Sequence, residues 1–172
     1  ILQGGCANRP GMAHTNIISR RLNREIINLG FSGNALLDYE IAEVMSSVDA
    51  GVYVLDFVPN ASAEQIYEKT ETFYRILRDK HPRTPIIFIE DPVFTHTMFD
   101  KKIAEEVSKK NKAVNSVYKA LKTKGEKNIY MISSKKMLGE DGEATIDGVH
   151  FTDLGMIRYA DLVCPVIKKV LK

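Results

Sequence analysis

Four short apolar runs punctuate the chain: "EIINLG" (25–30), "GVYVLDFV" (51–58), "TPIIFIED" (84–91) and "KNIYMISS" (127–134). Each is rich in Ile, Val, Phe or Tyr and continuous rather than alternating, the pattern of strands covered on both faces. Around them, apolar residues recur at helical spacing over 12–24, 35–48, 62–80, 99–124 and 153–171. Ser62, followed by Glu64 and Gln65, predicts the N-cap of the third helix, and Asp100 predicts that of the fourth. Helices alternating with buried strands predict an α/β domain with a parallel sheet and right-handed crossovers. The chain opens on a Gly-rich loop, "ILQGGCANRPG", which runs into the first helix and so occupies the place that follows a first strand. The expectation is a three-layer, doubly wound sheet of order 2-1-3-4-5, with most of the first strand ahead of residue 1 and only Ile1 and Leu2 as its tail. Residues 1–172 without that central strand are expected to fold poorly alone.

At 172 residues the chain is read as one domain. Its 44% hydrophobic and 27% charged residues are ordinary for a globular protein, and a net charge of +2 argues for neither nucleic acid nor an acidic membrane. The lysines between Lys101 and Lys127 alternate with Glu and apolar residues, as on the solvated face of a helix. No apolar run reaches the roughly 18 residues of a membrane helix. Cys6 and Cys164 stand near opposite ends in no metal-ligand spacing, which leaves their pairing and redox state open. Glu90 and Asp91 would point opposite ways from a strand, so neither metal nor cofactor is expected.

Ligands of an open parallel sheet bind beyond the carboxyl ends of its strands. Gly30, Ser32, Gly33 and Asn34 follow the first run, Asn60 the second, Glu90, Asp91 and His96 the third, and "IDGVHFT" the last. Asp147 and His150 can act as orienter and base: imidazole exchanges protons near neutrality, and a carboxylate on its other nitrogen fixes the tautomer. The helix start just behind them disfavours positive charge on His150. The bland alternative is that Asp147 caps the turn while His150 packs on Phe151. Gly33 offers a bare N–H and Asn60 an amide, the donors an oxyanion needs; otherwise Gly33-Asn34 is a turn and Asn60 a helix cap. His14 is expected at the surface and His81 at a helix end, while His96, after the third run, could line an acyl pocket.

"NLGFSGN", "PNAS" and "DGVHFT", in that order, resemble the SGNH or GDSL-like lipase and acylhydrolase superfamily of bacterial type, over essentially the whole chain. The resemblance implies a serine esterase with His150 as base, Asp147 as its orienter, and Gly33 and Asn60 in the oxyanion hole. The third block departs from the family's Gly-x-Asn-Asp, keeping only Asn60. None of Ser19, Ser32, Ser133 or Ser134 stands where the family's nucleophile does; in similar bacterial relatives a "QGGCA-RPG" stretch directly follows Gly-x-Ser-Ile, so the resemblance implies that serine immediately before Ile1. A small ester, such as an acetyl or other short acyl group on a carbohydrate, is the implied substrate. The same likeness implies a bacterial periplasmic or secreted setting and an upstream β-rich domain. Two readings compete: a hydrolase with Cys6 as nucleophile, and a non-catalytic flavodoxin-like module binding a small molecule. "QGGCANRPG" carries neither phosphate-cradling Gly spacing that such a module would show.

Overall fold

Tyr53–Leu55 (β1), Ile86–Ile89 (β2) and Ile129–Ile132 (β3) form one parallel sheet in the order β1-β2-β3. The structure is a computed structural model that describes residues 2–171. Among the described residues five α-helices complete it: α1 (His14–Leu22), α2 (Tyr39–Ser46), α3 (Ala63–Lys80), α4 (Lys101–Thr123) and α5 (Asp153–Val170). Alternate side chains of the strands enter two cores. Tyr53, Leu55, Ile86, Phe88 and Ile129 pack with α2, α3 and α4, whereas Ile87, Ile89 and Ile132 pack with α1 and α5. The result is the expected three-layer α/β architecture.

The helix starts follow local chemistry. Ser62 accepts from Gln65 N–H while the Gln65 side chain accepts from Ser62 N–H, a reciprocal cap on α3. Asp100 accepts from the amides of Lys102 and Ile103 at the start of α4. That helix buries Val107, Ala113, Val114, Val117 and Leu121 and turns most of its lysines to solvent. α2 begins four residues later than its apolar pattern, because Leu37 takes a left-handed φ of 57° and Asp38 is extended.

One predicted strand is corrected. Residues 25–30 join no sheet. A strand exists only through backbone bonds to a neighbour, and a cavity of about 640 Å³ separates this segment from the outer edge of β1. Ile1, expected as the tail of a first strand, lies outside the described residues, and Leu2 sits in a turn.

Candidate active site

The stretch from Leu138 to Thr152, between β3 and α5, is held by four sets of bonds. Arg158 of α5 reaches back to the Leu138 carbonyl at 2.6 Å and grips both oxygens of Asp141, at 2.7 and 2.6 Å. Thr145 pairs antiparallel with Phe151, Ile146 N–H donates to the His150 carbonyl, and Thr152 N–H donates to the Ala144 carbonyl. The Thr152 hydroxyl then caps α5 through Gly155 N–H. Gly155 must be glycine: a Cβ there would lie 2.2 Å from the Ala144 carbonyl oxygen.

Asp147 and His150 stand at the tip of this scaffold. Asp147 Oδ1 accepts from the amides of Val149 and His150, at 3.0 and 2.8 Å, and Oδ2 lies 2.7 Å from His150 Nδ1. These bonds, the imidazole's first, hold the Asp147 carboxyl well below the usual carboxylate range. Such a carboxylate keeps the proton of the neutral ring on Nδ1 and leaves Nε2 as the acceptor. Both side chains are about half exposed. Asp147 therefore does cap the turn, but it holds the imidazole at the same time.

The other predicted residues fall as follows. Gly33, at φ +66°, is exposed, and its N–H donates to no backbone carbonyl among the described residues. Asn60 follows β1, and its side chain makes no hydrogen bond among the described residues; Ser62 takes the capping role, so Asn60 is not the cap of α3. The opening loop is tied to the segment before Gly33 and to α5: Asn28 Nδ2 donates to the Leu2 carbonyl, and Asn8 N–H donates to Asp153 at the start of α5. Cys6 sits in this loop as a free thiol, bonded to no imidazole among the described residues. Ser19 bonds the Arg24 carbonyl, while Ser133 and Ser134 donate to Glu90, which also accepts from Asn115. His81 Nε2–H donates to the Ser46 carbonyl at 2.9 Å, and the ring lies edge-on to Tyr53.

Two histidines depart from their sequence reading or extend it. His14 is not at the surface but fully buried under α5. His96 is exposed and stands against the turn between Asp147 and His150, its Nδ1 only 2.9 Å from where a Cβ on Gly148 would be. Arg158 and Asp141 carried no sequence signal at all, since their pairing spans seventeen residues, from an irregular loop into α5.

The family model for the GDSL-like lipase/acylhydrolase family matches residues 1–168. Among solved structures, a protein of Bacteroides ovatus ATCC 8483 described as a GDSL-like lipase is 41% identical with a TM-score of 0.96, covering 99% of this chain and 51% of that one. A salicylyl-acyltransferase from a tetracycline biosynthetic pathway is 18% identical at a TM-score of 0.79, covering 95% and 50%. A carbohydrate esterase of family 3 from Talaromyces cellulolyticus is 14% identical at 0.58, covering 82% and 68%. The last two likenesses are of fold. The chain thus spans about half the length of the first two. No curated protein matches it.

Proposed function

From the premise that the chain belongs to the GDSL-like lipase/acylhydrolase family, we propose that it forms part of a serine esterase. The carrying observation is the Asp147–His150 pair, with Nδ1 engaged at 2.7 Å and Asp147 itself anchored by two amides. In this reading a serine directly preceding Ile1 attacks the ester carbonyl. His150 Nε2 takes the serine proton and later returns it to the leaving alcohol, while Asp147 stabilises the imidazolium. The Gly33 N–H and the Asn60 amide receive the oxyanion. Water, activated by the same His150, then releases the acid. Neither metal nor cofactor is needed for these steps. The substrate is a small ester, with a short acyl group on a carbohydrate as the favoured class, and the setting is bacterial periplasm or cell exterior. Val93, Met98, Phe99 and Ile146, exposed on segments next to the dyad, offer apolar surface to the ester's non-polar part.

A fluorophosphonate probe on the full-length protein tests this reading. The expected adduct lies on a serine immediately before Ile1. An adduct on Cys6 or Ser32 would relocate the nucleophile, and no adduct on active enzyme would remove serine chemistry.

A further inference from the structure

Lys110 departs from the pattern of its helix. The other lysines of α4 are exposed, as a solvated face requires, but Lys110 is half-buried. Its ammonium donates to the Pro59 carbonyl at 3.2 Å, across fifty-one residues of chain. That carbonyl belongs to the peptide leading into Asn60. The same peptide is tied at its other end, where Asn60 N–H donates to the Phe57 carbonyl at 3.0 Å. A peptide unit is planar, so bonds at both its oxygen and its nitrogen fix its orientation. Ala61 N–H shares the Phe57 carbonyl at 3.1 Å, so the peptides on both sides of Asn60 are held and the direction of its side chain is set.

Lys110 acts from a fixed platform. Its neighbour Asn111 brackets Asp91: Oδ1 accepts from Asp91 N–H at 2.7 Å, and Nδ2 donates to the Asp91 carbonyl at 3.0 Å. One turn on, Asn115 donates to Glu90 and to the Asn111 carbonyl. Parallel pairing sets Tyr53 of β1 opposite Ile86 of β2 and Leu55 opposite Phe88. The same register carried forward brings Val58 level with Asp91. One polar edge of α4 therefore clamps the segments leaving both strands, while the helix's apolar face keeps it seated on the core. Ala61 occupies the place of the Asp in the Gly-x-Asn-Asp block that this stretch resembles, and its methyl can bond nothing. The hold on Asn60 comes instead from α4, through a charge-assisted bond, which is stronger than a neutral one.

We propose that Lys110 is a positioning residue for the reaction: its bond to the Pro59 carbonyl aims the Asn60 amide at the oxyanion. The inference rests on the esterase reading, and within it on Asn60 as an oxyanion donor. Lys110 itself touches neither substrate nor reacting atoms.

Turnover of p-nitrophenyl acetate by the full-length protein tests this through a double-mutant cycle. Lys110→Met keeps an unbranched apolar stem without the charge or the donors, so the protein should stay folded in thermal melts. Its kcat should nevertheless fall about 10-fold or more at little changed KM, because the amide is misaimed only where the oxyanion forms. Lys110→Arg, which restores a cationic donor, should recover most of that loss. In an Asn60→Ala background the Lys110→Met change should cost less than about 2-fold, since no amide is left to aim. An equal fall in both backgrounds would overturn the inference. So would normal turnover in Lys110→Met beside a slow Asn60→Ala. Failure of the esterase reading would look different, with Asn60→Ala and His150→Ala both turning over normally.

Discussion

Substitution of Gly148 by alanine probes the turn that joins the two catalytic candidates. Gly148 has φ +89°, a conformation that costs an L-residue about 1–2 kcal/mol. A new Cβ would also lie 2.9 Å from His96 Nδ1, but an exposed side chain can swing aside, so the contact adds little. Restricting the unfolded chain returns about 0.4–1 kcal/mol. The net loss is about 1 kcal/mol, which at a urea slope of roughly 2 kcal/mol per molar shifts the midpoint by about 0.5 M. The functional loss should exceed the stability loss. A turn that relieves its strain abandons the amide bonds from Val149 and His150 to Asp147 and so moves the imidazole. A displacement near 1 Å is worth about 10² in turnover. Urea unfolding and ester hydrolysis by the full-length protein measure the two effects, and Gly148→Ala combined with His96→Ala separates their causes. If removing His96 restores stability and turnover, the backbone argument is wrong and the contact is what matters.

Three further outcomes are expected. His150→Ala should cost several orders of magnitude in kcat with folding unchanged, and Asp147→Asn somewhat less in the same parameter; near-normal turnover in His150→Ala would sink the mechanism. Asn60→Ala should lose about 10²–10³ in kcat with KM nearly constant, whereas a drop in melting temperature with turnover intact would make Asn60 structural. Asp91 is buried with Oδ1 unpartnered, and burial raises its carboxyl to about 7. Between its unfolded value near 4 and pH 7 the folded state holds a proton the unfolded chain has released, so stability falls as pH rises through that window. Removing that charge by Asp91→Asn should therefore stabilise the protein at pH 8, by at most roughly 4 kcal/mol, and do little at pH 4. Equal effects at the two pH values in thermal melts would show that Asp91 does not titrate as described.

The sequence by itself determined the layers and the chemistry that is local in the chain. Continuous Ile/Val/Phe runs at 51–58, 84–91 and 127–134 located all three strands, because burial on both faces leaves no polar alternation to mislead. Ser62 and Asp100 marked helix starts, since a cap needs only neighbours within three residues. Asp147 and His150 were legible for the same reason: a three-residue turn brings them together whatever the rest of the fold does. Tertiary structure decided what depends on distant partners. Residues 25–30 have strand composition but pair with nothing described, because strand identity resides in hydrogen bonds to a neighbour. His14 read as a surface residue near a helix start, yet α5 covers it, and no local pattern announces which face of a short helix another helix will bury. Arg158 braces the loop that carries His150 through Asp141 and Leu138 across seventeen to twenty residues, a contact that only the packing of α5 against the sheet creates.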